Sequence, residues 1–238
     1  MTRSAVLVTG GSSGIGEVMA GAAARLGRRV GVVSRRPAPT SAREVDWVRA
    51  DLADAEDTAS AVRGWVDAIA EPLDGVVLSA VSYGDGPRHP VAATPLAEWD
   101  EVIAVTLRSQ YVVVSAVLPE LLARPRAVIV SVSSIAAVEP APGRAHYAAA
   151  KAGAYAFHRA LAAELAGTGV AVVQVMPKNQ VATPGLRPRR PAGYAFAGYD
   201  SPEVFSAFTE RVLDDLGREF DGRTLIVDGD GNWEGLDA

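Results

Sequence analysis

A chain of 238 residues that is 49% hydrophobic and 21% charged holds enough apolar matter for one large α/β domain or two small ones, and disorder is not expected. A formal charge of −5 leaves no electrostatic footprint for nucleic acid, and no lysine–arginine run is long enough to suggest a membrane surface, so both partners are disfavoured. With no cysteine and three scattered histidines (His89, His146 and His158), a disulfide framework, a thiolate nucleophile and a cysteine-ligated metal site are excluded, and no metal is expected.

The chain opens MTRSAVLVTGG, a short strand-like run ending in glycines. It lacks a long apolar signal segment, and no span approaches the roughly 20 apolar residues that cross a bilayer, so a soluble cytoplasmic protein is expected. The first strand, AVLVT at 5–9, runs into TGGSSGIG (Thr9 to Gly16) and then into a helical period over about 14–27. Glycines at 10, 14 and 16 permit a tight turn, close approach of backbone to a pyrophosphate and tight helix–strand packing, while the helix start aims N–H groups at the anion. A plain structural turn is the alternative, but between the first strand and helix of an α/β chain such a turn more often binds a nucleotide.

RVGVVS at 29–34 is the second strand and leads into SRRP, Ser34 to Pro37. An acidic residue there would grip the ribose hydroxyls of NAD; two guanidiniums suit a 2′-phosphate, so NADP(H) is the expected cofactor, with Arg35 favoured over Arg36 as the contact. DWVRA at 46–50 is a third strand, followed by a helical segment at about 55–70, the strand GVVLSA at 75–80 and a long apolar helix at about 96–122. Then come the strand RAVIVSVS (126–133), a helix over about 145–167 and the strand VAVVQVM (170–176). An irregular stretch covers 178–200, a weaker helical signal 201–219, and RTLIVD at 223–228 is the last strand. Near-continuous apolar strands alternating with helices predict a doubly wound α/β fold of the Rossmann type, with about seven strands in a parallel sheet, as one domain spanning 1–238.

On the helix at 145–167 stands HYAAAKAG, which places Tyr147 and Lys151 four residues apart on one face. Such a pair is common on half-exposed helices and proves nothing alone. Combined with TGGSSGIG, however, YAAAK resembles the short-chain dehydrogenase/reductase family, over nearly the whole chain. The resemblance directs attention to a serine thirteen residues before the tyrosine at a strand end, and Ser134 in SVSSIAA stands there. It implies a catalytic set of Ser134, Tyr147 and Lys151, in which Tyr147 is the acid/base, Lys151 lowers its pKa and holds the nicotinamide ribose, and Ser134 orients the substrate oxygen. Reducing a carbonyl needs hydride at carbon and a proton for the oxygen, and a tyrosine with an unperturbed pKa of about 10 needs help from a nearby cation. The resemblance further implies cofactor contacts from Gly10, Ser12, Ser13, Gly14, Ile15 and Gly16, from Ser34, Arg35 and Arg36, from an adenine-contacting pair Asp51 and Leu52, and from Ala80, Tyr147 and Lys151. Asp51 could equally cap the next helix. VDGDG at 227–231 resembles the family's closing strand and turn, and the implied assembly is a homo-oligomer, tetramer or dimer.

Three segments depart from the family. Leu78, Ser79, Ala80 and Val81 stand where Asn-Asn-Ala-Gly is usual, Thr106 replaces the proton-relay asparagine of the fourth helix, and Pro177–Lys178 replaces Pro-Gly after the sixth strand. The relay is expected to survive at Thr106, since it uses a backbone carbonyl. The expected activity is therefore NADP(H)-dependent interconversion of a ketone and a secondary alcohol, on a small-molecule carbonyl or alcohol substrate. A non-catalytic NADP-binding sensor or regulator is the alternative, motivated by the altered motifs and opposed by the intact Ser-Tyr-Lys set. A third reading, an assembly partner, rests only on the apolar helices 96–122 and 145–167. The loop at about 178–200, a substrate loop or lid, carries Arg187, Arg189, Arg190, Tyr194, Phe196 and Tyr199, which point to an anionic or aromatic substrate or a carrier-bound acyl group unless they are merely solvated.

Overall fold

Valine-rich runs with no polar side become strands covered on both faces, since only a parallel sheet sandwiched between helix layers hides such a run completely. The computed structural model describes residues 4–37, 45–84 and 88–236, and in it β1 (Ala5–Thr9), β4 (Leu73–Leu78) and β5 (Ala127–Val132) are buried at every position. With β2 (Arg29–Ser34), β3 (Val45–Arg49), β6 (Val170–Pro177), β7 (Thr224–Val227) and β8 (Trp233–Gly235) they form one sheet in the order β3-β2-β1-β4-β5-β6-β7-β8. Pairing is parallel through β7; β8 pairs antiparallel and makes an eighth strand where about seven were expected. Three residues around an exposed glutamate give too short a pattern to read as a strand.

The helices divide between the faces. Met19 and Ala23 of α1 (Gly14–Arg25) and Phe205, Phe208 and Val212 of α6 (Phe205–Asp214) bury Val6 and Val8 on one side. Val62 of α2 (Ala55–Ala68), Val113 and Val117 of α4 (Ser109–Leu122) and Leu161 of α5 (Ala145–Glu164) cover Leu7, Val76 and Ile129 on the other. After β3 the chain crosses to the far side of β1, so neighbouring connections leave β1 and β4 in opposite directions and open a crevice at their C-terminal ends.

The long helix expected at 96–122 is continuous but not regular. α3 (Leu96–Ile103) passes into α4 through one wide π-type turn, Ala104–Arg108, centred on Thr106. By length and composition this is the one helix among the described residues able to cross a membrane, yet Val102, Val113, Val114, Val117 and Leu121 are spent in the core. The signal at 201–219 contracts to a short 3₁₀ turn, Pro202–Val204, then α6 and a second 3₁₀ turn at Arg218–Phe220.

What brings α1 against the crevice is the absence of side chains. A Cβ on Gly16 would stand 2.5 Å from the Gly10 carbonyl oxygen, and one on Gly10, which has φ of +70°, would stand 2.8 Å from the Ala80 Cα. Gly64, on the exposed side of α2, meets nothing within 4 Å. Gly16→Ala is therefore expected to destabilise the protein by about 1–3 kcal/mol, the usual cost of overpacking. Gly64→Ala should stabilise it by roughly 0.5–1 kcal/mol, because only helix propensity changes there. Urea unfolding of both variants checks the contrast; equal effects would contradict the packing described.

Candidate active site

The loops that leave the C-terminal ends of the first six strands surround one cavity of about 840 Å³. At its phosphate end Gly10, Ser12, Ser13, Gly14 and Ile15 line the wall. Ser13 occupies the start of α1 in extended conformation and makes no side-chain cap, which leaves the first-turn N–H groups of the helix for a ligand. Gly16 lies behind the lining, where it packs α1 onto the turn. A Cβ at Gly14 would stand 3.1 Å from Thr183, so the segment after β6 sits directly over the turn.

At the far end Ser34, Arg35, Arg36, Asp51 and Leu52 share the wall. The Ser34 hydroxyl donates to the Arg36 carbonyl (2.6 Å), fixing the bend that presents both exposed guanidiniums; among the described residues neither Arg35 nor Arg36 has an ion pair. Asp51 does not cap α2. Its carboxylate accepts from the Ala53 amide (3.0 Å), while Asp54 caps the helix by accepting from the Glu56 and Asp57 amides. A dinucleotide fits this donor set: uncapped amides for a pyrophosphate, free cations for a phosphate, and glycines where the backbone must be approached.

At the other end Ser134, Tyr147 and Lys151 come together on the same wall. Ser134 lies two residues beyond the end of β5, its hydroxyl accepting from the Ala136 amide (3.2 Å) and hydrogen-bonded to Tyr147. Burial raises the Tyr147 pKa above the ordinary phenol value, Tyr83 adds to the rise, and the Ser134 hydrogen bond and Arg144 oppose it. Lys151 is 3% exposed; its ammonium donates to the Val132 carbonyl at 2.8 Å, and burial lowers its pKa to about 8. Within the chain, burial rather than Lys151 dominates the phenol.

Around Tyr147 the departures from the family pattern have local partners. Val81 packs beside Tyr83 against Tyr147 and Val102. The Thr106 hydroxyl donates to the Ser82 carbonyl (3.2 Å) and accepts from the Ser82 amide (3.0 Å), tying the wide helical turn to the strand-four loop. The Thr106 carbonyl accepts one hydrogen bond, from the Gln110 side-chain amide at 2.7 Å, and Ser131 donates to the Gln110 oxygen at 3.2 Å. A wide turn moves carbonyls out of the regular helical ladder, and Gln110, one turn on, reaches this one.

The 178–200 stretch lines the cavity from Lys178 to Tyr199, but half of the arginines and aromatics singled out in it face elsewhere. Tyr194, Phe196 and Tyr199 pack edge-to-face on one another, and Arg187 lies over Phe196, 5.0 Å from the ring centre. Arg189, Arg190 and Tyr199 line the cavity; Arg187, Tyr194 and Phe196 do not. Tyr83, Arg88 and Arg144 also line it, and sequence reasoning missed them. For Arg144 a signal existed, since it stands one helical turn before Tyr147.

Known proteins resemble this chain in sequence and in fold. A family model described as short chain dehydrogenase matches residues 4–192. A short chain dehydrogenase of Pseudocercospora fijiensis is 36% identical over 175 residues, 69% of this chain but 55% of that protein, so the chain spans about half of that relative. The 3-oxoacyl-[acyl-carrier-protein] reductase of Synechocystis is 30% identical, covering 96% of this chain and 97% of that one. Among solved structures, a dehydrogenase/reductase from Sinorhizobium meliloti superposes with a TM-score of 0.80 at 27% identity, over 98% of this chain and 96% of the other.

The Lys151 burial has a measurable consequence. Its pKa in the folded protein is about 8, below the 10.5 of the unfolded chain, so the unfolded state holds more protons between these values and stability rises with pH through that window. Because the buried Tyr147 phenol acts oppositely above its ordinary pKa of about 10, the clean range is pH 8 to 10. The unfolding free energy of wild type minus that of Lys151→Met should climb across this range; a flat difference would contradict the burial.

Proposed function

The chain belongs to the short-chain dehydrogenase/reductase family, and from that premise we propose that this oxidoreductase interconverts a ketone and a secondary alcohol with NADP(H), using Ser134, Tyr147 and Lys151. The observation that carries the reading is the convergence of the three residues on one cavity that also holds the glycine turn and two arginines with no ion pair among the described residues. A bound nicotinamide supplies the hydride that the carbonyl carbon accepts. Tyr147 then has one task, to give its phenolic proton to the oxygen as negative charge develops there, and its raised pKa keeps that proton in place until it is needed. Ser134 donates a second hydrogen bond to the same oxygen, and Lys151, anchored on the Val132 carbonyl, supplies positive charge beneath the phenol once the proton has left. The relative from Synechocystis is named a 3-oxoacyl reductase, which supports reduction as the working direction. The segment after β6 acts as a lid over the glycine turn, and the exposed Tyr111 and Leu122 of α4 suit a contact between subunits.

NADP(H) rather than NAD(H) is supported by the end of β2, where Ser34 is followed by two exposed arginines, Arg35 and Arg36, and not by an acidic residue. The sensor reading finds no specific support, because the altered strand-four and helix-four residues are packed and hydrogen-bonded around Tyr147 instead of closing the cavity.

Tyr147→Phe should reduce turnover by about 10²–10⁴-fold, the usual worth of a positioned acid, with NADPH binding nearly intact. Steady-state rates beside cofactor titration measure this, and retention of more than a tenth of the rate would remove Tyr147 from the role. Arg35→Ala should weaken NADPH by about 10- to 100-fold, because a charge-assisted bond to the phosphate contributes roughly 1.5–3 kcal/mol, and leave NADH almost unchanged. Tighter wild-type binding of NADH than NADPH would overturn the cofactor assignment.

A further inference from the structure

The substrate half of the cavity carries a second feature that the reduction of a ketone does not require. Arg88, Arg144, Arg189 and Arg190 all line it, beside Tyr83 and Tyr147. They reach it from three separate segments. The loop carrying Arg88 is fastened to the turn before α5 by the His89 amide donating to the Gly143 carbonyl (3.1 Å), which sets Arg88 beside Arg144. Arg189 and Arg190 come from the segment after β6.

These arginines have different duties. Arg189 is committed to the backbone, donating to the Gly185 carbonyl (2.7 Å) and to the Gly84 carbonyl while its guanidinium covers the Tyr83 ring at 5.5 Å. Arg190 donates to the Tyr199 hydroxyl (2.9 Å) and the Gln180 side chain (3.4 Å), and its Nε is buried without a partner. Arg144 lies over the Tyr83 ring, 5.8 Å from its centre, and makes no hydrogen bond to a carboxylate among the described residues. Arg88 has none either.

The acidic groups nearby are otherwise engaged. Glu101, on the cavity wall, accepts from the Ser82 hydroxyl (3.0 Å), and Glu98 lies 3.3 Å from the buried His146. Tyr83 cannot serve as a counter-charge, because burial raises its pKa. The half-buried Arg144 is itself pushed down, by burial first and then by the neighbouring charges of Arg88 and Arg190. Cations crowded at the mouth of a cleft, with no carboxylate hydrogen-bonded to Arg88, Arg144 or Arg190 among the described residues, repel one another and favour an anion from solution.

Resting on the oxidoreductase reading above, we propose that Arg144, Arg88 and Arg190 form a recognition site for a negative group on the substrate, so that the ketone reduced here carries a carboxylate, sulfonate or phosphoryl group. Tyr83, whose ring centre lies 5.2 Å from that of Tyr147, is the spacer between the anion and the reacting carbonyl. The guanidinium of Arg144 is thus one ring removed from the catalytic phenol, which selects a small molecule with its charge close to the carbonyl. Planar guanidiniums offer each of the three oxyanions the same paired donors.

The test is calorimetric binding to the NADP⁺-loaded protein, since the oxidised cofactor cannot reduce a ketone and the readout needs no turnover. The probes are acetoacetate, 2-oxopropanesulfonate and 2-oxopropylphosphonate, with 4-oxopentanoate and 5-oxohexanoate to vary the spacing and the methyl esters of the acids as neutral partners. At least one anion should bind about 10- to 100-fold tighter than a neutral partner, the gain expected from one or two charge-assisted bonds, and the rank among the three head groups identifies the anion. Arg144→Gln should bring the ratio of acid to ester close to one, Arg144→Lys should retain part of it, and Arg88→Gln, on an exposed side chain, should lower it without the folding risk at the start of α5. The preference should narrow with added salt. Equal binding of every anion and its neutral partner, or a preference that survives both glutamine variants, overturns the proposal. Anion preference with no turnover of any probe under NADPH would instead leave the subsite standing and count against the oxidoreductase reading.

Discussion

A lysine ammonium that is 3% exposed and rests on one backbone carbonyl is the constraint around which the catalytic end is organised. Taking a cation out of water is costly, and here a single strand-end carbonyl, that of Val132, compensates it. The same dry surroundings push the two titratable partners in opposite senses. Burial raises the Tyr147 phenol and lowers the Lys151 ammonium to about 8, so the proton is driven onto the tyrosine. A site so biased keeps a neutral phenol, the form that the proposed reduction would require. In the proposed reaction the lysine would matter most after the proton has gone, when it would face a phenolate.

That arrangement follows from sheet order. Parallel strands buried on both faces send all their connections to one edge, and the crossover after β3 opens the crevice between β1 and β4. Gly16 lets α1 close on the Gly10 backbone and Gly10 lets that turn approach Ala80 of the strand-four loop, so the uncapped helix start looks into the same cavity as Ser134 and Tyr147. The residues that depart from the family pattern are absorbed locally. Thr106 ties the wide helical turn to Ser82, and Gln110 covers the carbonyl that this turn exposes. The carbonyl expected to hold a relay water is thereby given a protein partner.

Much of this was legible in the residues. Strands such as AVLVT and VAVVQVM declare themselves because both faces are apolar, and the glycine turn and the Tyr-Lys spacing carry their chemistry in their residue types. The wide turn at Thr106 was not legible, since the Ser82 hydrogen bonds that tie it down come from the strand-four loop, a distant segment of the sequence. Nor was β8, whose three residues depend on pairing with β7. The aromatic residues of 178–200 were expected to meet substrate, but Tyr194 and Phe196 satisfy one another by edge-to-face packing, a tertiary outcome that composition cannot foretell. The arginines of the substrate half, at 88, 144, 189 and 190, come from three segments and are gathered only by the fold.

The family and the geometry together make hydride transfer the event on which the functional reading stands. It is read most directly by incubating the protein with NADPH deuterated at the transferring carbon of the nicotinamide and a keto acid, then locating the label by mass spectrometry. One deuterium at the carbinol carbon of the alcohol, with the hydroxyl proton drawn from solvent, is the expected result. Tight binding of NADPH with no deuterium delivered to any ketone would contradict it, and would leave a nucleotide-binding protein whose Ser-Tyr-Lys set does no chemistry.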